Sequence, residues 1–242
     1  MPDTSPLVRR IGSIFPLTDE ERHGLATLPM MVRDHKANTT FVHEGDRPAQ
    51  CCVLLDGIVC RHRNTRGGQR QILSFHIAGD IPDLQSLHLK VMDHSLGALT
   101  PVQGGFIAHE HVHALIRQHP RLASAFWRET LIDGAVFREW IVGLGRRNAL
   151  QHMAHLFCEL YVKMEAVGLA ADHAFALPLT QVDLGDALGL SNVHVNRTLQ
   201  EMRGRNLVAL ERRVLTIIDW ATLKALGEFD PIYLHQDPRG AN

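Results

Sequence analysis

Apolar and polar residues change rhythm several times along the chain. Residues 32–107 alternate short β-rich runs with Gly, Asp and Asn turns, the runs falling at 39–43, 51–55, 58–63, 69–76, 96–99 and 105–108. The turns include Glu44-Gly45-Asp46, Asp56-Gly57, Arg66-Gly67-Gly68 and Ala78-Gly79-Asp80. Short strands at even spacing predict a small all-β barrel or jelly roll. Before them, Thr18 with Glu21 three residues on is a capping box for a short helix ending near Pro29. A second helical region begins near His111.

Residues 121–144 contain no proline and carry two apolar stripes. Phe126, Phe137, Trp140 and Leu144 form one; Leu122, Ile132 and Val136 form the other. A helix apolar on two sides buries both. One side can cover the barrel and the other can meet the same helix of a second copy, giving an isologous dimer. Burial of both within one chain is the alternative. Gly143 and Gly145 mark a hinge before a further helix over 147–167, and 168–178 reads as a loop.

Residues 179–207 predict two short helices around a tight turn. Thr180 with Asp183 opens the first in capping-box fashion, Gly189 makes the turn and Ser191 caps the second. Val195, Leu199 and Met202 recur at spacings of four and three and pack inward. Asn192, Asn196, Arg197 and Gln200, with His194 near the edge, point away. Such side chains read base edges, Asn bidentate to adenine and Arg bidentate to guanine. An apolar back, a small residue at the crossing (Ala187) and a donor-rich front define a helix-turn-helix; a helical hairpin with a solvated face is the plainer alternative. Residues 207–210 and 214–218 flank the charged turn Glu211-Arg212-Arg213, a hairpin placed as a wing. Between Asn192 and Arg213 five Arg stand against two Glu, where a phosphate backbone would run. Asp219 caps a last helix, 220–226, ended by Gly227. The tail after Asp230 is expected to be loosely ordered.

With 242 residues, 45% of them hydrophobic, the chain can bury a sizeable core. The formal net charge is −1, so the basic character is local. Residues 1–15 lack the apolar core of a signal peptide, and no apolar run reaches membrane-spanning length. Four Cys without regular spacing suit free thiols in a reducing cytoplasm. P-loop, G-x-S-x-G and H-E-x-x-H motifs are absent, which argues against the enzyme classes they mark.

Glu44-Gly45-Asp46, Leu55-Asp56-Gly57, residues 70–73 (RQIL), Gly79-Asp80 and residues 184–191 (LGDALGLS) stand in the order barrel, long helix, hinge, winged helix. This arrangement resembles the cyclic-AMP receptor/fumarate–nitrate regulator (Crp/Fnr) superfamily over roughly residues 15–220. The resemblance implies an α+β protein. A jelly-roll sensor barrel (1–118), a long dimerisation helix (119–146) and a winged helix-turn-helix domain (147–242) would follow one another. It also implies a cytoplasmic bacterial homodimer that regulates transcription from a palindromic DNA site, with RNA polymerase as a further candidate partner. The DNA-contacting set is then Asn192, Val193, His194, Asn196, Arg197, Gln200, Thr180, Ser191, Arg203 and Arg213, and the dimer stripe is Phe126, Phe137, Trp140 and Leu144.

Members that bind cyclic nucleotides carry a Gly-Glu-Leu turn and an Arg-Ser/Thr pair, whose guanidinium and helix-terminal amides cradle the phosphate. Here Ile81-Pro82-Asp83-Leu84 and His94-Ser95 occupy those places, so Asp83, His94 and Ser95 are the candidate ligand residues. Proline removes an amide donor, and a largely neutral imidazole is a poor substitute for a fixed fork of donors. Both changes argue against cyclic AMP. An iron–sulfur cluster is also disfavoured: Cys51 and Cys52 are neighbours on a strand and point to opposite faces, while Cys60 and Cys158 lie far off. Buried small hydrophobes are the simpler reading of these Cys. His109, His111 and His113 would share a face on a strand, but stand where a strand passes into a helix, which breaks a metal geometry. A haem or gas ligand through one of the sixteen His stays open. The competing function is a small-molecule-sensing signalling protein whose winged helix contacts protein rather than DNA.

Overall fold

The computed structural model describes residues 5–236 of the chain. It divides into two compact units, one reaching to Gly134 and one spanning Ala135–Leu234. No helix among the described residues is long and apolar enough to cross a membrane.

The first unit begins with α1 (Ser5–Ile14) and α2 (Asp19–Ala26). The expected capping box opens α2: Thr18 Oγ1 accepts from the Glu21 amide at 3.2 Å, and Glu21 Oε2 accepts from the Thr18 amide at 2.8 Å. Strands β1 (Met31–His35), β2 (Thr39–Val42), β3 (Gln50–Asp56), β4 (Val59–Asn64), β5 (Arg70–His76), β6 (Ser95–Ala98) and β7 (Val102–Ala108) follow, with a 3-10 turn at Leu84–Leu87. They form two antiparallel sheets, ordered β1-β7-β3 and β2-β6-β4-β5. The turn glycines Gly45, Gly57, Gly68 and Gly79 all take positive φ. Val42, Cys52, Leu54, Val59, Leu96, Val102 and Phe106 come from both sheets and share one core, so the inner faces pack together. The outer face of β3 and β7, through Cys51, Val53, Leu55 and Ile107, packs on Leu7, Ile11, Leu25, Leu122 and Phe126. Cys51 and Cys52 therefore do lie on opposite faces. Helix α1 escaped the sequence reading, although Leu7, Ile11 and Ile14 are fully buried at helical spacing.

Helices α3 (His109–Gln118) and α4 (Arg121–Arg146) follow directly. His109, His111 and His113 all fall in α3 rather than on a strand. In the second unit, the rest of α4 leads into α5 (Ala149–Ala166), then β8 (Ala170–Ala171), β9 (Ala174–Ala176), α6 (Gln181–Leu188), α7 (Asn192–Gly204), β10 (Val208–Glu211), β11 (Val214–Ile217), α8 (Trp220–Leu226) and a 3-10 turn at Pro231–Leu234.

Three expectations need correction. Gly143 is no hinge: α4 runs through it, and a Cβ there would lie 2.5 Å from His152 Nε2. Glycine is needed for that close approach, and the chain turns instead at Arg147-Asn148, where Asn148 caps α5. Residues 168–178 are not all loop, since β8 and β9 pair and extend the wing into a four-stranded sheet, β10-β11-β9-β8. The turn between them uses positive φ at Asp172 and His173, residues that advertise a tight turn far less than Gly does. The stretch after Asp230 is held: Leu234 is buried and the Tyr233 hydroxyl donates to Glu159 Oε2 at 2.7 Å. Residues 237–242 lie outside the described residues.

Candidate nucleic-acid interface and the barrel interior

Three short devices position α7. Thr180 Oγ1 accepts from the Asp183 amide at 3.1 Å while Asp183 Oδ2 accepts from the Thr180 amide at 2.9 Å, closing a capping box on α6. Gly189 ends α6 in the left-handed region at φ 68°. Ser191 Oγ then accepts from the His194 amide at 3.3 Å and starts α7. The turn folds back on α6 closely enough that a Cβ on Gly185 would meet the Leu190 carbonyl oxygen at 2.6 Å. Gly185 thus makes room for the turn, and Ala187 is fully buried.

Val195, Thr198, Leu199 and Met202 are buried, and the Thr198 hydroxyl donates to the His194 carbonyl at 2.9 Å. The opposite face exposes Asn192, Val193, Asn196, Arg197, Gln200 and Arg203, with His194 half-buried at its border. Val193 is 81% exposed, a bare apolar side chain among polar ones. Arg205 is tied to Glu201 at 2.5 Å. Arg197, Arg203 and Arg213 have no acidic partner among the described residues. Strands β10 and β11 pair from Val208↔Ile217 to Glu211↔Val214 and present Arg212 and Arg213 at their two-residue turn, with φ of 49° and 64°. Thr180 and Ser191, both exposed, sit at the N-termini of the two helices, where free amides face outward.

In the barrel, Asp83 is buried and its Oδ1 accepts from the Cys52 amide at 2.8 Å. Burial pushes its carboxyl up to about 7. His94 Nδ1 lies 2.7 Å from Asp93 Oδ1, and its Nε2 lies 3.4 Å from Gln85 Nε2. Burial, then the Arg61 guanidinium, lowers its pKa, so the ring is neutral at pH 7. Ser95 Oγ accepts from the Glu44 amide at 3.0 Å. Sequence reasoning missed Arg61. It lies on β4, buried, with Nε donating to the Pro82 carbonyl at 2.7 Å and Nη1 paired to Asp133 on α4. A signal was there: Arg61 has the same strand parity as Val59, a barrel-core residue. Nearby, Arg10 bonds Glu129 Oε1 at 2.9 Å and lies 3.1 Å from Asp80, and His76 lies 3.4 Å from Asp80.

The long-helix stripe is split. Phe126 and Trp140 are buried inside the protomer, and the Trp140 indole donates to Glu159 at 3.1 Å. Phe137 is half-buried, and of the four only Leu144 is exposed. The apolar residues that α4 leaves exposed are Trp127, Leu131, Ile141, Val142 and Leu144.

Burial in the barrel pushes the Cys51 thiol up to about 12, and burial on α5 does the same to Cys158. Both stay protonated at neutral pH, and among the described residues no group of three His, Cys, Asp or Glu could hold a metal ion.

A two-sheet barrel, a long helix and a winged helix-turn-helix define a class of modular regulators. Residues 32–119 match the model of the cyclic nucleotide-binding domain and residues 151–226 that of the Crp-like helix-turn-helix domain, together more than half of the chain. The chain belongs to the Crp/Fnr superfamily of transcriptional regulators. It is 25% identical over 208 residues to the transcriptional activator protein FnrL of Cereibacter sphaeroides, covering 82% of each chain. It is 26% identical over 189 residues to the nitrogen fixation regulation protein FixK of Bradyrhizobium diazoefficiens, covering 77% of this chain and 78% of that one. Its fold is similar to that of FixK2 from Bradyrhizobium japonicum, with a TM-score of 0.74 at 20% identity over 82% of this chain and 98% of that one.

Proposed function

We propose that the protein regulates transcription as a homodimer that reads a palindromic DNA site without a cyclic nucleotide. The observation that carries the DNA reading is the outer face of α7: Arg197 without an acidic partner, flanked by exposed Asn192, Asn196 and Gln200, over a buried back of Val195, Thr198, Leu199 and Met202. Arg203, Arg213, Thr180 and Ser191 surround it as phosphate contacts, from side chains and helix-terminal amides. Two such helices related by a two-fold axis would meet half-sites one helical turn apart.

The exposed face of α4 supports the dimer. Trp127, Leu131 and Ile141 recur at spacings that keep one helix face turned outward, and a helix pairing with its own copy along that seam buries them. This face, rather than the Phe126 and Trp140 stripe, is the dimer surface.

Arg61 supports independence from cyclic nucleotides. It fills barrel space with a guanidinium already committed to the Pro82 carbonyl and Asp133, while His94 is neutral and Pro82 has no amide to give. Selection of bound sites from random DNA by purified full-length protein, with and without cyclic AMP, tests the whole reading. A palindromic motif recovered equally in both arms is expected. Recovery only with cyclic AMP would overturn the effector part, and no enrichment in either arm would overturn the DNA part.

A further inference from the structure

A second feature of the barrel plays no part in the DNA reading. Strand β1 pairs with β7 in the register Met31↔Phe106, Arg33↔Gly104, His35↔Val102. Cross-strand partners share a face, so Arg33 and His35 stand on the same side as Val102 and Phe106, the barrel-core side. Opposite Arg33 the partner is Gly104, and the Phe106 ring closes over that position: a Cβ there would lie 3.2 Å from Phe106 Cε2. A cavity of about 350 Å³ opens there, and Arg33, His35, Phe41, Arg47, Asp83 and Phe106 line it. No residue of α4 contributes to it.

The lining has one apolar wall and one charged rim. The His35 ring stacks on Phe41 at 4.4 Å and meets the edge of Phe106 at 5.7 Å. The Arg33 guanidinium sits over Phe106, 4.6 Å from its centroid. Neither Arg33 nor Arg47 has a carboxylate partner among the described residues. The lining carboxylate of Asp46 is turned into its own loop, accepting from the His43 amide at 2.7 Å. His35 Nε2 is buried with no hydrogen-bond partner. An unsatisfied buried ring nitrogen costs free energy unless a ligand or water meets it. At its inner end the cavity reaches Asp83.

We propose that this cavity binds a small aromatic carboxylate, its ring against His35, Phe41 and Phe106 and its carboxylate between Arg33 and Arg47. Planar guanidinium matches carboxylate geometry, and aromatic rings favour stacked or edge-on contact with a flat ligand. The volume lies at the small end of ligand pockets and suits one or two rings. The site concerns the barrel alone and stands whether or not α7 reads DNA.

Isothermal titration of the full chain with benzoate, indole-3-acetate, benzamide, inorganic phosphate and cyclic AMP tests it. The two aromatic acids should bind, with benzamide and phosphate weaker by about tenfold or more, since each lacks one half of the recognition. Arg47→Gln and Arg33→Gln should each weaken the acids by about tenfold, whereas Arg66→Gln, a control distant from the lining, should leave them unchanged. Absence of binding by either acid up to about 10 mM overturns the proposal. So does phosphate, benzamide or cyclic AMP binding as tightly as the acids, or binding that survives both arginine variants.

Discussion

Arg61 and Asp133 show how a single buried charge shapes the barrel. The Arg61 side chain is 5% exposed and that of Asp133 26%, so the guanidinium depends on its partner and on the Pro82 carbonyl. Asp133→Ala should therefore cost about 3 kcal/mol in urea unfolding, because it removes the carboxylate that neutralises a buried cation, whereas Arg61→Met should cost less, because the carboxylate it leaves is partly in water. An Asp133→Ala loss under about 0.5 kcal/mol would mean that the pair is solvated. Asp83 and His76 give a pH signature. Burial raises Asp83 to about 7 from 3.8, so its contribution is complete below pH 3.8 and fades as pH rises to 7, by roughly 4 kcal/mol. Burial, then Arg61, lowers His76 to about 4 from 6.5, so its contribution is complete above pH 6.5 and is lost as pH falls to 4, by roughly 3 kcal/mol. The two contributions have opposite slopes across one window and partly cancel. Asp83→Asn removes one of them: relative to wild type it should gain stability between pH 5 and 7 by roughly 2–3 kcal/mol. A pH-independent difference in unfolding free energy would show that Asp83 is ionised throughout. At this scale the caps were legible in the sequence, since Thr18, Thr180, Ser191 and Asp219 act through neighbours three residues away. Gly143, Gly185 and Arg61 were not, because their partners are set by tertiary approach.

Elements were legible where period and turn chemistry agreed. Barrel strands β2 to β7 came out within a few residues of their bounds, since Gly marks most of their turns, whereas β1 was missed. Helix α1, β8 and β9 were lost for opposite reasons: α1 carries few boundary signals, and the two strands are too short for alternation to show. Helix α4 was found as a helix, but its outward face was misjudged. Both of its sides are apolar, and only the packed protomer shows that Phe126 and Trp140 look inward while Trp127, Leu131 and Ile141 look out. This difference gives a prediction with a built-in contrast. Ile141→Glu puts a charge on the exposed face, and should yield a folded monomer by light scattering at micromolar concentration. Trp140→Ala removes a buried indole and should cost about 3–5 kcal/mol of stability without selectively releasing monomer. A wild type that is already monomeric would sink the seam.

For the whole molecule, the question is whether the α7 face reads bases or merely carries charge. The formal net charge of −1 excludes a general polyanion sink, so binding must come from placed residues. Arg197 and Arg213 separate the two roles. Arg197 stands on the exposed face of α7 between Asn196 and Gln200; Arg213 stands at the wing turn. If Arg197 grips a guanine in each half-site, each bidentate pair contributes roughly 1–3 kcal/mol, and a dimer has two. Arg197→Ala should then weaken the selected site by about a hundredfold and relax preference at one base pair per half-site. If Arg213 grips phosphate alone, Arg213→Ala should weaken all sequences alike and reduce the slope of log K against log salt by about one for each phosphate no longer neutralised. Fluorescence anisotropy over a salt series, on the selected site and a scrambled one, measures both. Equal losses on the two DNAs for Arg197→Ala would turn its role into anchoring, and an unchanged site and affinity would remove α7 from the groove altogether.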